Sequence, residues 1–195
     1  MELAKSKTFV NLAKTFAGEC QARTRYEFME YGARNAGLKC LAEMIDTVAY
    51  NEFNHARMFY TFLQKGSPDA IKNIDIDAGY PFKEKWDIAE NLAFAVEDEK
   101  NEAEKIYPEY AKIAREEGFD DIAELYENVI QVETCHMKLF KILHDQYVDG
   151  TMYKREKAVK WKCSACGYED TRKEAWDECP ICKEKQGAVM LKIDE

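Results

Sequence analysis

The sequence predicts a mainly α protein, a four-helix bundle with one long crossover, followed by a small C-terminal domain that needs metal to fold. Three observations predict it. Apolar residues recur at helical spacing through four long runs. Runs one and two, and runs three and four, are joined by short turns, whereas residues 66–86 between the pairs hold Gly, Pro, Asp and Asn without any period. The last 37 residues carry two Cys-x-x-Cys pairs and are too few to bury a core of their own. The expected domains are therefore a bundle over 1–148, a linker over 149–158 and a metal-bound domain over 159–195.

Composition narrows the function classes. Of 195 residues, 46% are hydrophobic and 12% aromatic, which is enough for a core, and the net charge of −9 comes with no basic block. Nucleic acid is not expected as a partner, because phosphate neutralisation needs clustered Lys and Arg. No stretch approaches 18 uninterrupted apolar residues, and residues 1–14 alternate Lys with short apolar groups, so neither a membrane span nor a secretory signal is expected. The expected location is therefore cytoplasmic. Four of the seven Cys form the two tight pairs, while Cys20, Cys40 and Cys135 are scattered through helical runs. That usage suits a reducing compartment and a thiolate metal site, not a disulfide framework.

The first helix is expected over 8–36, with Leu12, Phe16, Glu19, Ala22 or Arg23, and Tyr26 on one face and Gly37 as its stop. The second, over 38–64, aligns Leu41, Ile45, Val48, Glu52, His55, Phe59 and Phe62 and closes at Lys65-Gly66-Ser67-Pro68. The third starts at Asp87, forms a capping box with Glu90, and runs through Leu92, Val96, Glu99, Glu102 and Ile106 to Gly118, with a kink expected at Pro108. Asp121 and Glu124 make a second box for the fourth, which reaches Tyr147 and turns Ile122, Leu125 or Tyr126, Val129, Glu133, His136, Phe140 and Leu143 inward. This is the ferritin-like arrangement of four helices. It also reads as a duplicated hairpin, since Glu19 precedes Glu52 by 33 residues and Glu99 precedes Glu133 by 34.

Glu52-x-x-His55 and Glu133-x-x-His136 each place a carboxylate and an imidazole on one helix face, the spacing of metal ligands. With Glu19, Glu99 and Glu102, five carboxylates and two imidazoles are expected to converge inside the bundle. Unpaired, each buried carboxylate costs several kcal/mol, roughly, so positive charge must match them. The set is too rich in oxygen for structural zinc and suits two iron or manganese ions with a bridging Glu. Glu30, Glu97, Glu104, Glu109 and Glu127 read as solvated helix faces, His144 as ordinary surface and Cys135 as packing. Tyr26 and Tyr107 are spaced to donate hydrogen bonds to the ligands. Spacing equally allows them to be core aromatics whose hydroxyls find water.

In the tail, Cys163, Cys166, Cys179 and Cys182 form a tetrahedral thiolate signature that zinc ribbons and rubredoxin-type iron sites share. Trp161, Tyr168 and Trp176 supply a small core for either metal.

These motifs together resemble the rubrerythrin family over nearly the whole chain. The residues that carry the resemblance are Phe16 to Tyr26 (FAGECQARTRY), Glu52-x-x-His55, Glu99-x-x-Glu102 followed by Tyr107-Pro108, Ile113 to Gly118 (IAREEG), Glu133-x-x-His136, and the terminal Cys-x-x-Cys-Gly-Tyr and Cys-Pro-x-Cys. The resemblance implies a non-haem di-iron peroxidase that reduces hydrogen peroxide to water. It implies that Glu52 and Glu133 bridge two iron ions, that Glu19, Glu99 and His136 are terminal ligands, and that Glu102 and His55 are alternatives exchanged with redox state. It makes the four tail Cys the ligands of one rubredoxin-type iron, fed by an external reductase or rubredoxin, and implies a head-to-tail homodimer. The chain departs from the family in lacking its usual Pro after Cys182. Two other readings stay open on the sequence alone: a ferritin-like ferroxidase, and a non-catalytic module with a zinc ribbon.

Overall fold

The computed structural model describes residues 2–66, 73–77, 79 and 87–192. Helices α1 (Lys7–Asn35), α2 (Lys39–Gly66), α3 (Ile88–Asn101), α4 (Tyr107–Glu116) and α5 (Asp120–Val148) make the bundle, with α3 and α4 forming one continuous rod. Most of the expected crossover over 66–86 lies outside the described residues. No helix among them is long and apolar enough to cross a membrane.

The first hairpin, α1 with α2, turns at Gly37, and the second, α3–α4 with α5, turns at Gly118. Both glycines take a left-handed φ, of 76° and 84°, which a side chain would oppose. Both turns satisfy the last helical carbonyls in the same way. Leu38 N–H reaches back to Ala33 O and Gly37 N–H to Arg34 O, while Phe119 N–H reaches Ala114 O and Gly118 N–H reaches Arg115 O. This is the pairing of a Schellman motif, used twice.

The helix starts differ from one another. Ser6 Oγ accepts from Phe9 N–H at 3.0 Å, and the Glu117 carboxylate, from the far hairpin, accepts from Lys7 N–H and Thr8 N–H at 3.0 and 2.8 Å, so α1 is capped from two sides. Asp87 caps α3 as expected, accepting from Glu90 N–H at 2.8 Å. The expected box at Asp121 does not form. Helix α5 begins two residues earlier than a cap at Asp121 would set it, Phe119 is its cap position without a side-chain bond, and Asp121 instead accepts from the adjacent Ile122 N–H.

The expected kink at Pro108 is also corrected. The irregularity precedes it, as a π-turn over Glu102–Ile106, and Pro108 sits in the first turn of α4. Pro108 has no N–H for the carbonyl four residues back and its ring would crowd it. Widening the preceding turn, so that Tyr107 N–H reaches Glu102 O, accommodates both effects.

Two apolar clusters fill the bundle, one at each end. The first joins Tyr26, Met29, Leu41, Ile45, Leu92, Phe140 and Leu143. The second joins Leu12, Phe59, Leu63, Ile122, Tyr126 and Val129. Between them lies a buried polar layer of Glu19, Glu52, His55, Glu99, Glu133 and His136.

The C-terminal part is a three-stranded antiparallel sheet, ordered β2 (Glu169–Glu174), β1 (Lys154–Cys163), β3 (Val189–Leu191). Strand β1 starts at Lys154, so half of the stretch expected as linker is strand, paired with β2 across an irregularity between Lys154 and Val159. The absence of apolar alternation there concealed it, since the residues from Lys154 to Lys157 are all charged. Trp161, Ala175, Trp176 and Val189 pack with Cys163 and Cys179 as its core. The domain seats on the α1–α2 turn through Gly187, where an added Cβ would lie 1.7 Å from Gly37 O and 3.1 Å from Leu38 Cα. Because φ at Gly187 is not positive, substitution there tests the contact alone. Gly187→Ala should weaken the docking by about 1–3 kcal/mol, exposing residues 149–153 to proteolysis while the helical content stays unchanged. An unchanged cleavage rate would mean that the contact does not hold the domains together.

Candidate metal centres

Each side chain of the bundle layer comes from the middle of a long helix, held by apolar packing above and below. Helix α1 supplies Glu19, α2 supplies Glu52 and His55, α3 supplies Glu99, and α5 supplies Glu133 and His136. They form two overlapping groups, Glu19, Glu52, His55, Glu133 and Glu52, Glu99, Glu133, His136, and within each group one ligand atom per residue lies within 4.8 Å of the others. Glu52 and Glu133 belong to both.

The distances are nearly mirror-symmetric. His55 Nδ1 lies 3.1 Å from Glu52 Oε2, 3.0 Å from Glu133 Oε1 and 3.6 Å from Glu19 Oε2. His136 Nδ1 lies 3.0 Å from Glu52 Oε1, 2.9 Å from Glu133 Oε2 and 3.6 Å from Glu99 Oε2. Each shared Glu thus offers one oxygen to each group. The outer oxygens of the unshared pair are held crosswise between hairpins. Tyr107 donates to Glu19 Oε1 at 2.6 Å, and Tyr26 donates to Glu99 Oε1. Both tyrosines are buried, and of the two roles spacing allowed them, they take that of donor to a site carboxylate.

The charge balance tests whether cations fit. Glu19 Oε2, Glu52 Oε1, Glu99 Oε2 and Glu133 Oε1 are buried without a hydrogen bond of acceptable geometry, although two of them lie 3.0 Å from an imidazole nitrogen. Burial, reinforced by neighbouring carboxylates, pushes Glu19 and Glu99 well above the usual carboxylate range. Burial also opposes ionisation of Glu52, but hydrogen bonds with His136, His55 and Glu19 outweigh it and hold its pKa at about 2. Six inward oxygens, two from each shared Glu and one each from Glu19 and Glu99, and two imidazole nitrogens are a donor set for two divalent ions, each with oxygen ligands and one nitrogen. The residues present fit them.

Glu102 is not part of either group. It opens the π-turn, half-buried, and lines a cavity of about 380 Å³ with Lys14, Gly18, Gln21, Asn101 and Lys105. Its Oε1 is 4.0 Å from where a Cβ on Gly18 would stand. Burial, then the charges of Glu19, Glu99, Glu133 and Glu52, push its pKa well up. Sequence reasoning passed over Asn51, whose side-chain amide lies 3.1 Å from His136 Nε2. An Asn beside a ligand Glu on a helix carries no signal by spacing. Cys135 is exposed, not packed, because it points away between Glu133 and His136. His144 is at the surface and pairs with Asp145 at 3.1 Å.

In the tail, the four Cys present one sulfur each within 4.8 Å of the others. The Cys163–Cys182 and Cys166–Cys179 Sγ separations are 3.7 and 3.6 Å. Disulfides would need about 2.05 Å, whereas a tetrahedron with 2.3 Å metal–sulfur bonds has edges of about 3.8 Å. Gly167, at φ 77°, closes the first knuckle, with Gly167 N–H donating to Cys163 O at 2.9 Å. Cys179 is held at about 7 because the backbone N–H groups of Cys182 and Ile181 outweigh its burial.

Comparison with known proteins accounts for both sites in one chain. The rubrerythrin family model matches residues 10–144, and the model of the rubrerythrin rubredoxin-like domain matches residues 161–188. Rubrerythrin of Clostridium perfringens is 38% identical, covering 94% of this chain and 93% of that protein. Rubrerythrin of Porphyromonas gingivalis is 35% identical, covering 93% and 88%. Among solved structures, nigerythrin in a mixed-valence state superposes with a TM-score of 0.63 over 98% of this chain and 94% of that one, at 22% identity, which speaks for the fold alone.

Proposed function

Because this chain belongs to the rubrerythrin family, we propose that it is a peroxidase that reduces hydrogen peroxide to water. The Glu/His cluster is the di-iron site of the family and the four Cys of the rubredoxin-like domain hold one iron. The observation that carries the reading is the pair of shared carboxylates, Glu52 and Glu133, each giving one oxygen to each imidazole-bearing group. In this reading Glu52 and Glu133 would hold both ions, Glu19, Glu99 and His136 would each hold one, and His55 and Glu102 would be alternatives. When bound, two iron ions held by the Glu/His cluster would supply the two electrons that reduction of an O–O bond requires, and an iron held by the four Cys would pass electrons singly from an external reductase or rubredoxin.

The chain's own residues do the rest. Tyr107 and Tyr26 fix the outer oxygens of Glu19 and Glu99, so the inner oxygens stay aimed at the ions. Peroxide reduction to two waters consumes two protons, and Glu102 stands where a carboxyl can hand one over, between the cavity and the site. Burial is the larger cause of its raised pKa and persists when cations neutralise its neighbours. A cytoplasmic location and a head-to-tail homodimer, in which each tail serves the partner's bundle, complete the reading.

The test is anaerobic reduction followed by mixing. The tail's thiolate-to-iron absorption should bleach on reduction and return faster with peroxide than with oxygen. Faster recovery with oxygen would favour a ferroxidase, and a colourless zinc-loaded tail would remove the electron route. Glu102→Ala should slow peroxide turnover on the order of 10²-fold with iron content unchanged; unaltered turnover would take Glu102 out of the mechanism.

A further inference from the structure

His136 is bonded on both sides of its ring. Its Nδ1 faces Glu133, Glu52 and Glu99, the side on which an ion would sit. Its Nε2 points away, 3.1 Å from the amide of half-buried Asn51. An imidazole that ligates through Nδ1 carries its hydrogen on Nε2 and must donate it. The amide then presents Oδ1, which a half-turn about its terminal bond exchanges for the nitrogen without moving any other atom.

The duplicated hairpin makes this contact informative. Asn51 immediately precedes Glu52, and the matching position before Glu133 is Val132, which has no side-chain acceptor. Among the described residues His55 Nε2 correspondingly has no hydrogen-bond partner, although the Nδ1 surroundings of the two rings match within 0.2 Å. The two imidazoles are alike where they face the carboxylates and unlike behind their rings.

We propose that Asn51 is a positioning residue that accepts a hydrogen bond from His136 Nε2 and so fixes His136 as the permanent imidazole ligand, while Val132 leaves His55 free to turn. The proposal rests on the di-iron reading of the bundle. It assigns to one side chain the difference between a constant and an exchangeable ligand.

Anaerobic titration of the metal-free, full-length protein with ferrous iron, in competition with a chelator, tests it without recourse to turnover. The wild type should take two equivalents in the bundle. Asn51→Ala should weaken one of them about 10–100-fold, Asn51→Asp should bind at least as tightly as the wild type because a carboxylate is a stronger acceptor, and the metal-free Ala variant should melt like the metal-free wild type. Ala and wild type binding alike would overturn the proposal. Equal weakening in Ala and Asp would do so as well, since only the shape of the side chain would then matter. If the wild type takes up no iron in the bundle, it is the di-iron reading that fails.

Discussion

Stripped of metal, the bundle should lose stability steadily as the pH rises above about 5, and the gap between its melting temperature and that of the iron-loaded protein should widen. Burial and mutual repulsion raise the carboxyl pKa values of Glu19, Glu99 and Glu102 above their ordinary 4.5. Burial opposes the imidazolium forms, yet hydrogen bonds to the surrounding Glu outweigh it, raising His136 from 6.5 to about 12 and shifting His55 in the same direction. Folding without metal therefore takes up protons. The stability tied to these groups is complete below their unfolded values and is lost as the pH climbs through the folded ones, from 4.5 upward for the carboxyls and from 6.5 towards about 12 for His136. Glu52, lowered to about 2, acts in the opposite sense. Its contribution is present above 4.5, is lost only as the pH falls through about 2, and so stays constant across this window. Each proton taken up is worth about 1.4 kcal/mol per pH unit, about 3–6 °C for a chain of this size. Ions replace those protons, so the loaded form escapes the decline. Melting curves of both forms between about pH 5 and 9 measure it; a metal-free midpoint that does not move with pH would contradict the charge balance described for the site.

Cys163→Ser should unfold the C-terminal domain while leaving the bundle standing. Cys163 is fully buried, its N–H donates to Tyr168 O at 2.8 Å, and its sulfur is one of the four. The domain's small core around Trp161 and Trp176 is built directly on Cys163 and Cys179, so losing the metal removes most of what orders it. The expected result is loss of the visible thiolate-to-iron absorption, a red shift in tryptophan emission, and at least a roughly 100-fold fall in peroxide turnover with an external donor. Helical content should persist. Retained colour and a native emission maximum would show that three thiolates suffice.

Much of the bundle was legible because burying a carboxylate is costly. A Glu in the middle of an apolar stripe, as at positions 19, 52 and 133, has few explanations, and the i, i+3 His on the same face narrows them further. The glycine stops were legible because only a left-handed residue closes these turns. Features set by neighbours distant in sequence were not. Glu117 caps α1 from another hairpin, Asn51 meets a ring on α5, and Gly187 matters because of a carbonyl at residue 37. The start of β1 escaped notice because its solvated charges carry no alternation, and the head of α5 misled because an Asp can satisfy its neighbour's N–H as readily as it caps a helix.

The π-turn explains a discrepancy of one residue. From Gly37 to Glu52 and from Gly118 to Glu133 the interval is fifteen residues in both halves, but Glu19 to Tyr26 spans seven and Glu99 to Tyr107 spans eight. The extra residue that separates the 33-residue and 34-residue repeats therefore falls between Glu99 and Tyr107, where the turn widens. A π-turn absorbs an insertion without rotating the helix beyond it, so Tyr107 keeps the place that Tyr26 holds in the other half and each reaches across to the other's Glu. In the half without the insertion, the position three after Glu19 is Ala22, buried and inert; in the half with it, the position three after Glu99 is Glu102, turned to a cavity. One added residue thus adds, to the difference between Asn51 and Val132, a second place where two copies of the same hairpin cease to be interchangeable, and it gives the site a front and a back.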